Sequence, residues 1–302
     1  MKIIITGASG FVGKNISTFL QNKGCTINAL SLRKTNWKVN FPRSVDAIIH
    51  LAGKAHDTSN VSNPDEYYKI NRDLTIDIFN EFLNSDSKKF FYFSSVKAAA
   101  DSVEEILTEN NKANPVTHYG KSKIEAEEYI LSQNLPEEKK VYIIRPCMIH
   151  GPGNKGNLNL LYKIVEKGLP WPLASFHNQR SFLGIDNLNY LVYEMLKKDG
   201  LPSGIYNFAD DEALSTNELI STVNKALNKK AKLWSISKGL IEKTAGLGDK
   251  LKLPLNSERL KKLTESYVVS NQKVKSALEI EKLPLSAEEG LIKTIKSFKK
   301  EK

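Results

Sequence analysis

The chain has 302 residues, of which 40% are hydrophobic and 26% are charged, and its formal net charge is +10. This is the composition of an ordinary globular protein, with room for one large domain or two joined lobes. No apolar run approaches the roughly 20 residues of a membrane-spanning helix, and the first run is shorter than the ~7–15 apolar residues of a signal peptide. We therefore expect a soluble, cytoplasmic protein with no transmembrane segment.

The distribution of lysines and the number of cysteines exclude further classes. Lysines are spread along the chain and no basic stretch alternates with aromatic residues, so we expect no nucleic-acid partner. The positive net charge is also consistent with attraction to phosphorylated ligands, and a peripheral contact with anionic lipid is a further alternative. Cys25 and Cys147 are too few for a disulfide framework and lack zinc-ligand spacing, so we expect no bound metal.

Strands and helices alternate in the first half of the chain. Apolar runs predict strands over 2–6, 26–31, 47–51, 90–94 and 141–145. Periodic apolar residues predict helices after the first glycine-rich turn, over 64–82 and over 117–132. Strands that alternate with helices indicate a parallel sheet with helices on both faces.

The pattern is looser after Arg145. It predicts a helix over 157–167, strands over 181–185 and 205–209 that return to the sheet, and a helix that begins after Ser215. The predicted fold is α/β, a Rossmann-type doubly wound parallel sheet with a smaller, interleaved C-terminal substrate lobe. The predicted domains are residues 1–153 with roughly 181–212 for the Rossmann part, and 154–180 with 213–302 for the second lobe.

A glycine-rich turn follows the first predicted strand and opens the first predicted helix. Glycines at such a turn let backbone N–H groups approach a pyrophosphate at the N-terminus of the helix. The position of the turn between a strand and an amphipathic helix predicts a dinucleotide site. We expect cofactor contacts from Gly7, Ser9, Gly10, Phe11, Val12 and Gly13.

The residues after the second strand bear on the choice of cofactor. An acidic residue there accepts from the ribose 2′-OH of NAD, whereas an arginine nearby suits the 2′-phosphate of NADP. This stretch contains Ser31 and Arg33 and has no Asp or Glu. We therefore favour NADP(H), with contacts from Ser31 and Arg33. NAD stays the alternative, because Arg33 could equally be a surface residue.

A second motif, Tyr119-Gly-Lys-Ser-Lys123, lies in the helix predicted over 117–132. Residues four apart share a helix face, so Tyr119 and Lys123 can point into one site. We expect the ammonium to lower the pKa of the tyrosine, so that the pair moves a proton to or from a substrate hydroxyl during hydride transfer. Ser95 follows the strand over 90–94 at the edge where such sheets bind ligands, and its hydroxyl could contact the same substrate oxygen.

With these motifs, the chain resembles an extended short-chain dehydrogenase/reductase of the nucleotide-sugar epimerase/dehydratase branch. The resemblance runs nearly end to end and also rests on His50-Leu51-Ala52-Gly53, Asn71, Ser94-Ser95, Arg145-Pro146, Gly151-Pro152-Gly153, Arg180-Ser181-Phe182 and Asp186. It implies a catalytic trio of Ser95, Tyr119 and Lys123. It also implies cofactor contacts from Leu51, Ala52, Gly53, Asn71, Ser94, Tyr119 and Lys123.

The resemblance further implies a UDP-linked sugar as the substrate. Ser95, Asn157 and Arg180 would hold it, since the fork of an arginine suits a diphosphate. A homodimer built from two helices of each subunit is also suggested. The dehydratases of this family carry Asp-Glu directly after the catalytic Ser or Thr, whereas this chain has Val96 and Lys97, so we do not expect 4,6-dehydration.

Two enzyme activities stay open. A 4-epimerase would keep NAD bound and act on UDP-glucose or UDP-N-acetylglucosamine, whereas a 4-ketoreductase would use NADPH to reduce a UDP-4-keto-6-deoxy-hexosamine. The segment 157–180 and the Ser-Ser-Val-Lys strand end resemble reductase-like members used in bacterial surface-polysaccharide synthesis, and the missing ribose acid agrees. We therefore favour the 4-ketoreductase. A non-catalytic NAD(P)-binding regulator is the third interpretation, and the retained Tyr119 and Lys123 argue against it.

Overall fold

The computed structural model describes residues 1–34, 36–54, 63–154, 157–251 and 256–300, without the side chains of Asn157 and Lys300. The strands in these ranges are β1 (Lys2–Thr6), β2 (Thr26–Leu30), β3 (Ala47–His50), β4 (Lys89–Phe93), β5 (Lys140–Pro146), β6 (Met148–His150), β7 (Arg180–Gly184), β8 (Gly204–Phe208) and β9 (Ala213–Leu214). The α-helices are α1 (Phe11–Asn22), α2 (Pro64–Tyr67), α3 (Leu74–Leu83), α4 (His118–Leu131), α5 (Asn157–Glu166), α6 (Ile185–Lys197), α7 (Thr216–Ala226), α8 (Lys238–Leu251), α9 (Ser257–Thr264), α10 (Gln272–Leu278) and α11 (Ala287–Lys300).

Three shorter helical pieces complete the backbone. Two 3₁₀ helices cover Trp37–Asn40 and Val96–Ala98, and a π-helical turn, Tyr68–Asp73, joins α2 to α3. Within the described ranges, none of the helices combines the length and the apolar character needed to cross a membrane.

The central sheet consists of six parallel strands in the order β2-β1-β3-β4-β5-β8. Successive side chains of β1 point to opposite faces: Ile3 and Ile5 pack in a core with α1 and α6, whereas Ile4 packs in another with α3 and α4. Because helices cover both faces, the strands are buried on both sides, which explains their nearly continuous apolar sequences. The predicted Rossmann-type doubly wound parallel sheet is confirmed.

The strand predicted over 181–185 does not return to this sheet, so that part of the prediction is wrong. It is β7, which pairs with β6 and β9 in a separate three-stranded sheet. Both edges of β5 are already paired, with β4 on one side and β8 on the other. The strand β7 pairs instead with β6, the short strand that follows β5. The strand predicted over 205–209 does enter the central sheet, as β8.

A second apolar core lies outside the central sheet. Its buried side chains come from α5, α7, α8, α9 and α11, and include Leu161, Val223, Ile241, Leu260 and Ile295. Ser215 begins α7 with a reciprocal cap, because its side chain accepts from the Glu218 N–H and the Glu218 carboxylate accepts from the Ser215 N–H. These helices support the lobe that the sequence assigns to the substrate, while the predicted domain limits stay a prediction.

Candidate active site

The turn between β1 and α1 contains three glycines, and its geometry requires two of them, Gly7 and Gly13. Gly7 has a φ of +69°, in the left-handed region that favours glycine. The Gly10 N–H donates to the Gly7 carbonyl oxygen over 3.0 Å. A Cβ on Gly13 would lie 2.3 Å from that same oxygen, and a Cβ on Gly7 would lie 2.7 Å from the Ala52 backbone nitrogen. Larger residues at Gly7 and Gly13 would therefore displace the backbone of the turn.

The N-terminus of α1 is suited to an anionic group. Gly10 provides no side-chain cap, and the first turn of the helix, all of it described, has no acidic residue. Its N–H groups and the helix dipole therefore favour a phosphate at this end. Ser9 is exposed here, and Phe11 and Val12 are half-buried. The residues present fit a dinucleotide, whose pyrophosphate the glycine turn and the start of α1 would hold.

Replacing Gly13 by alanine should weaken dinucleotide binding. The new Cβ would collide with the Gly7 carbonyl oxygen, at 2.3 Å. Overpacking of this kind costs about 1–3 kcal/mol, which corresponds to a loss of affinity of roughly 5- to 150-fold if the turn must shift to bind. Titration with NADPH checks the expectation. Gly246→Ala is the control, because a Cβ there meets nothing within 4 Å, and unchanged affinity of the Gly13 variant would contradict the assignment.

A buried chain of hydrogen bonds supports the floor of this turn. The Ala52 N–H donates to Thr6 Oγ1 over 3.2 Å, and Thr6 Oγ1 lies 2.7 Å from His50 Nδ1. On the other side of the ring, His50 Nε2 lies 3.0 Å from Thr75 Oγ1, which donates to the Asn71 carbonyl oxygen over 2.8 Å. Because the Thr75 hydroxyl donates its proton to the Asn71 carbonyl oxygen, Thr75 Oγ1 can only accept from His50. The neutral ring is therefore assigned the tautomer with its proton on Nε2. Burial lowers the pKa of His50 to about 3, so the ring is neutral.

Asn71 holds the segment 51–54 in place. Its Oδ1 accepts from the Lys54 N–H over 2.7 Å, and its Nδ2 donates to the Lys54 carbonyl oxygen and to Ser122 Oγ, each over 3.1 Å. Asn71 is fully buried in the π-helical turn Tyr68–Asp73. The amide therefore fixes the segment that contains the predicted cofactor residues Leu51, Ala52 and Gly53.

Tyr119 and Ser95 meet at the carboxyl edge of the central sheet. Ser95 follows β4, and its side chain forms a hydrogen bond with that of Tyr119. Thr117 caps α4 by accepting from the Gly120 N–H, which places Tyr119 in the first turn of the helix. The Tyr119 ring also meets the Tyr67 ring edge-on, with 6.1 Å between centroids. The structure thus brings together two members of the predicted catalytic trio.

Lys123, the third member, is buried one turn further along α4. Its Nζ donates to the Phe93 carbonyl oxygen over 3.0 Å and lies 4.9 Å from the centroid of the Tyr92 ring. A Cβ on Gly53 would lie 3.3 Å from this Nζ, so the ammonium adjoins the predicted cofactor segment. Burial lowers the pKa of Lys123 to about 8, although Glu127 opposes the shift.

The prediction that Lys123 lowers the pKa of Tyr119 is wrong for this structure. Burial raises the pKa of Tyr119 above its usual value, and the hydrogen bond with Ser95 opposes the rise. The Lys123 ammonium donates to the Phe93 carbonyl oxygen. Tyr119 is therefore protonated near neutral pH, which is the form that a proton donor requires.

A buried ion pair on α4, the helix of Tyr119 and Lys123, was missed from the sequence. Arg145 belongs to β5, the strand that follows α4 in the chain. Its Nε lies 3.1 and 3.0 Å from the two carboxylate oxygens of Glu127, and its Nη2 also donates to this carboxylate. The Ser94 hydroxyl, predicted as a cofactor contact, donates to the same carboxylate. The available signal was the spacing of four between Tyr119, Lys123 and Glu127, which places all three on one face of α4.

Ser31 and Arg33 follow the end of β2, next to the end of β1. Leu30 of β2 pairs with Thr6 of β1, so the chain after Leu30 continues beside the glycine turn. Both predicted cofactor residues are exposed. No acidic residue occurs within 31–34, a stretch that the structure describes completely. The charged side chains of the stretch 31–34, Arg33 and Lys34, are therefore both positive.

Of the two predicted substrate residues of the second lobe, the structure describes the side chain of one. Arg180 is half-buried at the start of β7, and its Nη1 donates to the carbonyl oxygen of Lys262 in α9. The side chain of Asn157 lies outside the described residues. The structure therefore places Arg180 between the second sheet and α9, and its contact with a diphosphate stays a prediction.

Tyr267 connects the second lobe to the loop that follows Ser95, and no sequence motif marked it. Its hydroxyl lies within hydrogen-bond distance of two backbone carbonyl oxygens, 3.2 Å from that of Val96 and 2.7 Å from that of Ala100. The Lys97 ammonium lies 4.4 Å from the centroid of its ring. Tyr267 therefore holds both ends of the 3₁₀ turn that Ser95 begins.

Known proteins resemble this chain in sequence. The family model described as "NAD dependent epimerase/dehydratase family" matches residues 3–209. The UDP-glucose 4-epimerase of Vibrio cholerae is 28% identical over 250 residues, which are 75% of this chain and 76% of that protein. The UDP-2-acetamido-2,6-beta-L-arabino-hexul-4-ose reductase of Pseudomonas aeruginosa is 32% identical over 166 residues, 53% of this chain and 38% of that protein.

A solved structure matches the fold over nearly all of the chain. The structure of RMD from Pseudomonas aeruginosa complexed with NADPH has a TM-score of 0.76 at 19% identity, and the match covers 99% of both chains. The family match spans more than half of the chain and includes the glycine turn together with Ser95, Tyr119 and Lys123. The predicted NAD(P)-dependent enzyme is thereby confirmed, and the chain belongs to the NAD dependent epimerase/dehydratase family.

Proposed function

We propose that the protein is an NADPH-dependent 4-ketoreductase that reduces a UDP-4-keto-6-deoxy-hexosamine in surface-polysaccharide synthesis. The observation that carries the proposal is the corner after β2, where Arg33 is exposed and no acidic residue occurs within the described stretch 31–34. A 2′-phosphate suits this charge, whereas the ribose 2′-OH of NAD normally meets a carboxylate here. The Pseudomonas aeruginosa relative, itself named a hexul-4-ose reductase, supports the reaction type.

Tyr119 is the proton donor in this reaction. The bound dinucleotide supplies the hydride that reduces C4. Tyr119, protonated because burial raises its pKa, then gives its proton to the C4 oxygen. Ser95, already bonded to the Tyr119 side chain, orients the same oxygen. Lys123 keeps its ammonium one helical turn away, where it donates to the Phe93 carbonyl oxygen and adjoins the predicted cofactor residue Gly53.

Lys97 argues against a dehydratase. Dehydratases would need acidic groups at Val96 and Lys97 to expel the C6 hydroxyl. The Lys97 ammonium instead donates to the Asp101 carbonyl oxygen over 2.6 Å and lies over the Tyr267 ring. A carboxylic acid that could protonate the leaving hydroxyl is therefore missing from this position, which agrees with a reductase or an epimerase.

The nucleotide content of the purified protein tests the proposal. The protein is denatured directly after purification, and any released nucleotide is identified by chromatography. We expect no retained nucleotide, tighter binding of NADPH than of NADH, and oxidation of one NADPH for each 4-keto sugar reduced. Near-stoichiometric release of NAD would contradict the reductase and would overturn the assignment of Ser31 and Arg33.

Replacing Arg33 by aspartate should reverse the preference between the two dinucleotides. The change removes a charged hydrogen-bond donor, worth about 1.5–3 kcal/mol, so the affinity for NADPH should fall by roughly 10- to 150-fold. NADH binding should be equal or tighter, because the new carboxylate can accept from its 2′-OH. Fluorescence titration measures both affinities. Lys112→Asp makes the same change of charge at another exposed position, and an equal loss of NADPH affinity there would refute a specific role of Arg33.

A UDP-hexose 4-epimerase with bound NAD is the second candidate, acting on UDP-glucose or UDP-N-acetylglucosamine. The 28% identity to the Vibrio cholerae epimerase over 250 residues favours it. An epimerase would interconvert the two C4 epimers of its UDP-hexose with no added cofactor and no net oxidation of NADPH. A 4-ketoreductase would leave both epimers unchanged under the same conditions.

A further inference from the structure

The helix α8 has an apolar stripe on its outer face. Leu240, Leu247 and Leu251 are 56%, 56% and 66% exposed. At about 100° per residue, these leucines fall within roughly 40° of one another around the helix. A neighbouring face of α8, with Ile241 and Ala245, is buried in the second core. The helix therefore has one apolar face that packs in the lobe and a second one that faces outward.

Charged residues are divided between the two sides of α8. By the same helical geometry, Lys243 and Lys250 lie about 40° and about 60° from the nearest stripe leucine, Leu247. Glu242 and Asp249 lie on roughly the opposite side of the helix, together with Lys238. Both lysines are exposed, and neither forms an ion pair with any residue that the structure describes. Asp249 instead accepts from the Ser257 N–H over 3.0 Å. The outer side of α8 thus combines leucines with positive charge.

We propose that α8 docks this protein on the surface of an anionic lipid bilayer. The leucines of the stripe would enter the boundary between headgroups and acyl chains, and the two lysines would face anionic headgroups, as in other amphipathic helices that lie in the membrane interface. The net charge of +10 on the whole chain agrees with an anionic partner. Trp234, 56% exposed shortly before α8, is a residue type enriched at membrane interfaces.

The charge on α8 favours a membrane over a second copy of the chain. A two-fold contact with the two helices antiparallel would bring the lysines of both copies to the same side of the stripe, and like charges across an interface are unfavourable. The position of α8 also gives docking a consequence. It packs against α9, and α9 contains Lys262, whose carbonyl oxygen accepts from Arg180. Docking would therefore place the lobe of the predicted diphosphate contact at the membrane, whichever reaction the protein catalyses.

Cosedimentation with vesicles tests the proposal on the full chain. The probes are phosphatidylcholine vesicles with and without phosphatidylglycerol, at low and at raised salt. We expect binding to the anionic vesicles only, and weaker binding as salt rises. Lys243→Gln with Lys250→Gln should lower the partition coefficient by about 30-fold, since one lysine near an anionic surface contributes about fivefold. Leu240→Gln, Leu247→Gln and Leu251→Gln combined should abolish binding.

Matched controls distinguish binding through the outer face of α8 from nonspecific binding through other exposed leucines and lysines. Leu131→Gln changes a leucine of similar exposure, 51%, on α4, and Lys88→Gln with Lys112→Gln removes two other exposed lysines. Both controls should bind vesicles nearly as well as the parent. Thermal unfolding and NADPH binding of every variant verify the fold. Absence of binding to anionic vesicles, equal losses in the controls, or a stripe variant that changes the oligomeric state without changing vesicle binding would each overturn the proposal.

Discussion

Replacing Tyr119 by phenylalanine is expected to lower kcat by a factor of about 10² to 10⁴, the usual contribution of a positioned acid or base. The variant loses only the hydroxyl that bonds to Ser95 and would protonate the C4 oxygen. Its ring keeps the edge-on contact with Tyr67. NADPH affinity should therefore stay close to that of the parent while turnover is lost. Single-turnover kinetics with a UDP-4-keto sugar, together with an NADPH titration, measure the two effects separately.

Tyr129 provides a matched control on the same helix. Its hydroxyl donates to Asn80 Oδ1 over 2.9 Å, so Tyr129→Phe removes one hydrogen bond from α4 without changing the predicted catalytic trio. We expect unchanged turnover in this variant. Full turnover of Tyr119→Phe would show that the proposed proton transfer does not occur, and an equal loss in Tyr129→Phe would assign both effects to the helix rather than to the hydroxyl.

Among the substitutions proposed for this protein, replacing Arg145 by leucine is expected to lower the free energy of unfolding the most. Glu127 has a side-chain exposure of 0% and would keep a buried negative charge without its partner. Breaking a buried pair in this way costs about 3–5 kcal/mol. The double variant Arg145→Leu, Glu127→Leu should recover part of this loss, because it removes both members of the pair, while Lys123 loses the carboxylate that favours its charge. Denaturant unfolding of the parent, both single variants and the double variant gives the four free energies of unfolding.

An exposed ion pair, which solvent screens, is the control for this measurement. Lys38 and Asp77 lie 2.7 Å apart with side-chain exposures of 48% and 47%. Asp77→Asn should cost no more than about 1 kcal/mol, since solvent screens such pairs. If Arg145→Leu cost as little as Asp77→Asn, or if the double variant were less stable than either single variant, the unpaired-charge explanation would fail.

Local patterns were sufficient for the elements that form the cofactor side of the site. The strands of the central sheet are buried on both faces, so their apolar runs were visible without knowledge of the fold. The turn from Gly7 to Gly13 was equally visible, because its geometry depends on the glycines themselves. Helical periodicity placed Tyr119 and Lys123 on one face, as the structure has them.

Features that depend on how distant elements pack were not visible in the sequence. The strand β7 has the composition of a central-sheet strand, but it pairs with β6 and β9 in the second sheet. The contact of Arg180 with the Lys262 carbonyl oxygen joins residues 82 positions apart. The pKa of Tyr119 depends on how far the fold buries its hydroxyl and on where the Lys123 ammonium is directed, which the spacing of four does not define.

The contacts of Tyr267 affect when, during translation, the loop after Ser95 can reach its final conformation. Its hydroxyl holds the backbone at Val96 and Ala100, which lie 171 and 167 positions earlier in the chain. A nascent chain that has left the ribosome only as far as residue 209 already contains Ser95, Tyr119 and Lys123, yet the loop after Ser95 lacks this support. The predicted catalytic site is therefore completed only after translation has passed Tyr267.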